Sequence, residues 1–303
     1  MPCYSPLVGY RSRTVGTSGK RKLVFSRSAG FSDLEVKVPC GQCIGCRIDR
    51  SRMWAIRCVH ESKMHSRNCF ITLTYSDENL PFTLSLEKDH LQKFFKRLRH
   101  HIGKFRYYAC GEYGDDTRRP HYHAILFGVD FADDRTLHSR NSRGHSLYIS
   151  QLLSDTWGLG HALISPFTYS TAAYVARYCM KKQNGKSAYE HEKYCRYDSI
   201  TGELFHVSPE FALMSNRPGI GSAWYDRFST DVFPSDFLVH EGKTHPVPRY
   251  YLDKLIKSNP QKADKIKTKR KEARANDINS TPDRLTAREI VKKAQLTTLK
   301  RSL

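Results

Sequence analysis

Two short runs around a turn limit this chain more than anything else in it. Residues 104–113 and 121–129 carry the aromatic and β-branched content of strands. Between them lies Gly114-Asp115-Asp116-Thr117-Arg118-Arg119-Pro120, which is turn chemistry, so the spacing predicts a β-hairpin. Side chains alternate along a strand. His121 and His123 therefore leave one face with Cα atoms roughly 6.5–7 Å apart, and Tyr122 leaves the other. Glu112, on the partner strand close to the turn, is the carboxylate placed to join them. Two imidazoles and one carboxylate leave coordination positions open. That donor set suits Mg²⁺ or Mn²⁺ when phosphate oxygens take the remaining positions. A His-x-His pair alone is weak evidence for a metal, and its surroundings must decide its meaning.

Those surroundings read as more strands and covering helices. Residues 68–75 have the content of a buried strand, ended by a polar loop at 76–81. Over 87–102, Leu91, Phe94, Phe95, Leu98 and Ile102 keep helical spacing while Lys93, Lys96, Arg97 and Arg99 mark the outer face. After a polar, Arg-rich insertion at 130–143 come a helix over 149–157, a strand over 160–166 and a helix over 169–182. The expected fold is α+β: an antiparallel sheet with the hairpin at its centre and helices flanking it.

The last of these helices carries Tyr174 and Tyr178 a turn apart, with Arg177 and Lys181 near the same stripe. Alone this reads as an amphipathic helix whose phenols pack. Beside a hairpin able to hold a cation, it reads as two phenols waiting for a phosphate.

Charge points the same way. The chain has 303 residues, with 50 Lys and Arg against 30 Asp and Glu, a net charge of +20 suited to a polyanion, nucleic acid first. No apolar run approaches membrane-spanning length, and Met1-Pro2-Cys3-Tyr4 opens no secretory signal, so a cytosolic protein is expected. Nine cysteines, odd in number and unevenly spaced, fit thiols or metal ligands better than a disulfide framework. Cys40, Cys43 and Cys46 could supply most of a tetrahedral zinc site, with Cys3, Cys58 or His60 as a distant fourth ligand, although no second two-cysteine knuckle accompanies them; inert structural thiols are the equal alternative and an iron–sulfur cluster the lesser one.

The organisation expected is a basic arm at 1–38, irregular but for a strand near 34–38, then a cysteine cluster and helix at 39–66. A catalytic core at 67–204 follows, then an aromatic, Gly- and Pro-rich extension at 205–248 and a basic tail at 249–303, helical and solvated or disordered. The extension's Trp224, Tyr225, Phe228, Phe233 and Phe237 read as a packing layer sooner than as a platform for unpaired bases. Gly185-Lys186-Ser187 lacks the strand and first glycine of a phosphate loop, position 180 being Met, and reads as a turn.

These residues carry a resemblance. His121-Tyr122-His123 before Ile125-Leu126-Phe127 resembles the His-hydrophobe-His motif of HUH endonucleases, and Phe70-Ile71-Thr72-Leu73-Thr74 the strand motif preceding it in rolling-circle initiators. Tyr174 and Tyr178 match the two-tyrosine subgroup. Pro39-Cys40-Gly41-Gln42-Cys43, Thr72 through Glu78, and Pro218-Gly219-Ile220-Gly221 resemble the replication initiators of the gokushovirus group of microviruses. The resemblance spans about 39–235. It implies an HUH endonuclease-like core and a metal-assisted nick of single-stranded or supercoiled origin DNA that leaves a 5′-phosphotyrosine and a free 3′-hydroxyl, later rejoined. A host helicase and DNA polymerase are the implied partners, in the host bacterial cytoplasm. The family often has Lys between the tyrosines where this chain has Arg177, a fixed cation but a poor proton donor, which leaves Lys181 to assist the leaving group. A transposase of the same chemistry is the nearest alternative. The alternative from another class is a zinc-binding DNA-packaging protein in which the cysteines matter and His121 does not.

Overall fold

The computed structural model describes all residues except 1–2, 18, 115–116, 142–143, 182–190, 198–200, 276 and 299–303, with the backbone alone for 178–181. The chain divides into two compact units, Met1–Asp49 with Glu272–Arg301, and Arg50–Lys271. The first opens on β1 (Leu7–Val15), β2 (Arg21–Val24) and β3 (Gly30–Val38), an antiparallel sheet in the order β2-β1-β3. Residues 1–39 are thus not an irregular arm with a single strand. Alternation is present, since Tyr10 and Ser12 are buried between exposed Arg11 and Arg13. Too few large apolar residues mark the inner face for it to stand out in the sequence.

Helix α1 (Ile44–Ser62) leads to β4 (Asn68–Tyr75), α2 (Lys88–Ile102), β5 (Arg106–Tyr113) and β6 (Pro120–Phe127). Next come β7 (Thr136–Arg140), β8 (Ser146–Ile149), α3 (Gln151–Trp157), β9 (Gly160–Pro166) and α4 (Tyr169–Lys181). The chain continues through β10 (Cys195–Tyr197), β11 (Leu204–His206), β12 (Phe211–Met214) and α5 (Ser222–Phe228). It ends with β13 (Phe237–His240), β14 (Lys243–Pro246), α6 (Arg249–Ser258), α7 (Pro260–Ala275) and α8 (Pro282–Thr297).

The centre is a seven-stranded antiparallel sheet in the order β12-β5-β6-β4-β9-β8-β7, and the fold is α+β as expected. The insertion at 130–143 is not all loop. Its β7 forms the sheet edge, and because β7 is exposed along its whole length it lacks the alternation that reveals a strand.

Helices cover both faces. On one, Leu91, Phe94, Phe95 and Leu98 of α2 and Trp157 of α3 pack with Ile71, Leu73, Tyr122, Ala124 and Leu126. On the other, Ala172, Val175 and Ala176 of α4, with Ala55 and Cys58 of α1, lie over Phe70, Tyr108, Cys110, Ile125 and Phe127. Two alanines a turn apart leave no bulk between helix and sheet, so the α4 backbone comes close to β5 and β6.

Buried polar groups join α1 to this face. The Glu61 carboxylate accepts from Arg106 and, at 2.6 Å, from the Gly221 N–H, while Arg106 also donates to the Pro218 carbonyl at 2.7 Å and Arg57 to that of Ile220 at 3.0 Å. Burial opposes the charge on Glu61, but its bonds from His65, Gly221 and Arg106 outweigh burial and hold the carboxyl below its ordinary value. Pro218-Gly219-Ile220-Gly221 is the loop these side chains grip. Gly221 sits at φ 79°, where a Cβ would also stand 2.5 Å from the Tyr251 hydroxyl.

The aromatics of 205–248 mostly pack: Trp224, Tyr225 and Phe233 are buried with Tyr251, Leu255, Ala263 and Ile266 of α6 and α7. The basic tail is therefore neither disordered nor wholly solvated up to α7, since it lends four side chains to this layer.

Candidate active site

Strand register assembles the site. Glu112 of β5 pairs with His121 of β6, Cys110 with His123, and on the other side β4 sets Thr74 opposite His121 and Thr72 opposite His123. Directly paired residues share a sheet face, so Glu112, both histidines and both threonines look toward α4. Glu112 Oε1 lies 3.2 Å from His121 Nε2 and 2.9 Å from His123 Nε2, and the three ligand atoms all fall within 4.8 Å of one another. Tyr122 points the opposite way, its hydroxyl 2.7 Å from that of Tyr75 and accepting the Glu87 N–H at 2.9 Å.

The hydrogen bonds fix what the imidazoles present. His121 Nδ1 is 3.0 Å from the Arg119 carbonyl, which can only accept, so Nδ1 carries the proton and neutral His121 turns a bare Nε2 toward Glu112. Thr72 Oγ1 holds His123 Nδ1 at 3.0 Å and directs its Nε2 to the same oxygen. A lone pair facing a carboxylate oxygen is repulsive unless a cation or a proton lies between them. Glu112 is only 1% exposed, and its second oxygen, Oε2, is buried and meets no hydrogen-bond partner among the described residues. A buried carboxylate with an unsatisfied oxygen is costly. The group fits a divalent ion: adjacent ligands at 2.0–2.1 Å in an octahedral shell stand about 2.9 Å apart, close to the spacings here.

Helix α4 brings a phenol to this group. Its start is held by reciprocal bonds, the Thr168 N–H to Thr171 Oγ1 at 2.9 Å and the Thr171 N–H to Thr168 Oγ1 at 3.1 Å, a capping arrangement with threonine in both places. Tyr174 is half-buried, with its ring edge-on to His123 at 5.1 Å and to Phe70 at 6.2 Å. Phe70 in turn stacks on His123 at 5.4 Å. The Arg177 guanidinium lies over the Tyr174 ring at 5.9 Å and is otherwise exposed. The backbone of α4 carries positions 178 and 181 one and two turns past Tyr174, but the side chains of Tyr178 and Lys181 lie outside the described residues. So does Gly185-Lys186-Ser187.

Cys40, Cys43 and Cys46 gather with Cys3, the four sulfurs within 4.8 Å of one another. The other two fourth-ligand candidates are engaged elsewhere. Cys58 is buried in the apolar layer under α4, and His60 stacks on Trp224 at 3.5 Å with Nδ1 2.9 Å from the Tyr251 hydroxyl. Burial, aided by Lys63 and His240, pushes His60 down to about 3. In the sequence Thr72 stands out only as part of a strand motif, with no role of its own. Its signal was available in the register, because a hydroxyl opposite a ligand histidine can orient the ring.

The α+β sheet, with two histidines and a carboxylate on its central hairpin under a tyrosine-bearing helix, is consistent with an HUH-like fold. The family described as Replication-associated protein ORF2/G2P matches residues 68–183, a stretch that contains the whole site. Over 291 residues the chain is 31% identical to replication-associated protein VP4 of Bdellovibrio phage phiMH2K, covering 90% of this chain and 84% of that protein. Replication-associated protein ORF2 of Spiroplasma virus 4 is 33% identical over 71% of this chain and 66% of its own length. Replication-associated protein ORF4 of Chlamydia phage 1 is 32% identical over 73% and 54%. The chain belongs to the replication-associated proteins of the gokushovirus-like microviruses. No solved structure matches it significantly.

Proposed function

We propose that this protein starts rolling-circle replication of a small DNA genome by nicking its origin through tyrosine transesterification, as an HUH endonuclease of the two-tyrosine subgroup. The observation that carries the reading is the buried Glu112 whose Oε1 meets the Nε2 of both His121 and His123, with the Tyr174 ring packed against one of those imidazoles. A buried carboxylate and two histidines on one sheet face are of no use to a protein that only coats DNA. Mg²⁺ or Mn²⁺ bound to His121, His123 and Glu112 would polarise the scissile phosphate.

A phenol near its ordinary pKa of about 10 is a poor nucleophile at neutral pH, so its charged form must be favoured. Arg177 provides a permanent cation at the Tyr174 ring. The phenolic oxygen bonds to phosphorus, the bond to the 3′ oxygen breaks, and that oxygen takes a proton, with Lys181 assigned as the donor. The products are a 5′-phosphotyrosine and a 3′-hydroxyl suited to a polymerase. The phosphodiester energy stays in the adduct, so rejoining needs no nucleotide. Tyr178 would cut the regenerated origin while Tyr174 holds the first 5′ end. The reaction is assigned to the host bacterial cytoplasm, on single-stranded or supercoiled origin DNA, with a host helicase and polymerase completing the cycle.

The test is incubation with Mn²⁺ and labelled single-stranded origin DNA, followed by denaturing electrophoresis. A covalent adduct is expected, reduced but present in Tyr174→Phe and in Tyr178→Phe, and missing in the double variant. Full adduct in the double variant would refute the tyrosine chemistry.

A further inference from the structure

We propose that Cys3, Cys40, Cys43 and Cys46 form a structural tetrathiolate zinc centre that closes the start of the chain onto the head of α1. Three residues come from a knuckle and the fourth from 37 positions upstream, yet their four sulfurs lie within 4.8 Å of one another. The turn is shaped for sulfur. Gly41 takes φ 76°, and the N–H groups of Gln42 and Cys43 both donate to Cys40 Sγ, at 3.4 and 3.3 Å. The Cys40 N–H donates to Cys3 Sγ at 3.2 Å, and the Tyr4 N–H to Cys43 Sγ at 3.3 Å. Backbone N–H groups converging on sulfur are the outer bonds that orient ligating sulfurs.

The Arg47 N–H bonds the Cys43 carbonyl at 3.0 Å, which puts Cys43 at the head of α1 and Cys46 in its first turn. A four-sulfur tetrahedral set selects zinc or iron, and a structural site without redox duty selects zinc. The alternative cross-link is not formed: Cys43 and Cys3 Sγ stand 3.9 Å apart, nearly twice a disulfide bond. Binding Zn²⁺ would release the four thiol protons and change no oxidation state.

The unit has reason to need such a staple. Along β1 to β3 only Gly9, Tyr10, Ser12 and Gly30 are buried, far too little apolar surface to hold a sheet of this size. Tyr4, next to Cys3, lines a groove with Arg284, Ala287, Arg288 and Val291 of α8, so the centre also fixes what α8 rests on.

The full-length protein purified without chelator should contain one zinc per chain. Replacement by Co²⁺ should give the visible bands of a tetrahedral tetrathiolate site. In Cys3→Ser those bands should weaken and shift, and zinc affinity should fall more than about 100-fold, while Cys195→Ser keeps both. Alkylation of the unaltered protein is the second measurement, independent of whether Cys3→Ser folds. Zinc should protect these four thiols, chelation should expose them, and Cys195 should label at the same rate throughout. Stoichiometric iron, no metal at all, or equal labelling before and after chelation would overturn the assignment. None of these readouts depends on DNA cleavage, so failure of the nicking reaction would leave them unaffected.

Discussion

Thr72 shows how a side chain can orient a neighbour in the candidate site. Its hydroxyl at His123 Nδ1 sets which nitrogen faces Glu112. Thr72→Val, which keeps the shape and removes the hydroxyl, should weaken metal affinity about 10- to 100-fold, read by titrating cleavage against Mn²⁺. Unchanged titration would mean that packing by Phe70 orients the ring unaided. His60 makes a prediction about pH. Its folded value of about 3 lies below an ordinary 6.5, so below pH 6.5 the unfolded chain binds the proton first and stability falls as pH drops toward 3. The slope approaches about 1.4 kcal/mol per pH unit. His60→Phe keeps a ring against Trp224 and cannot titrate. The stability difference between the two proteins, from denaturant melts, should therefore shift in favour of the variant below pH 6.5 and stay constant above it.

Helix α4 is an element whose position matters more than its presence. Ala172 and Ala176 are fully buried and let its backbone approach the hairpin, which is what holds the Tyr174 ring 5.1 Å from His123. Ala176→Leu should cost about 1–3 kcal/mol through overpacking. It should also reduce nicking more than DNA binding, because the helix must lift from the sheet and take the phenol with it. Equal losses in adduct formation and binding assays would place the damage in general unfolding. The hairpin is the complementary case. Its inward and outward residues alternate, so a one-residue slip would put Tyr122 where the histidines stand and bury both imidazoles among Leu73 and Leu126.

At the scale of the whole molecule, the net charge of +20 suits a polyanion and makes binding separable from the proposed cleavage. Binding should follow counterion release, falling steeply and linearly on a log–log plot against salt. His121→Ala and His123→Ala should each lower cleavage more than about 100-fold and leave that salt slope unchanged, because they remove a ligand and no cation. Filter binding across a salt series, with cleavage assayed beside it, checks both halves. A shallower slope in either variant would put the histidines on the phosphate-binding surface.

The sequence alone determined the elements that strong periodicity marks: β4 and β9 at their full lengths, α2 by its apolar stripe, the hairpin by its turn, and through period-2 alternation the shared face of His121 and His123. It also determined that a phenol helix follows. Where apolar contrast was low the strands went unread, as in β1, β2, the first half of β3 and β7, although the strand near 34–38 was found. Tertiary structure alone decided which of Cys3, Cys58 and His60 joins the cysteine knuckle, that Thr72 and the Arg119 carbonyl orient the imidazoles, and that Arg57, Glu61 and Arg106 grip the loop at 218–221. The physical reason is range. Periodicity records which face of its own element a residue occupies, whereas a ligand set or a buried hydrogen bond joins atoms tens to hundreds of positions apart, and only packing brings those together.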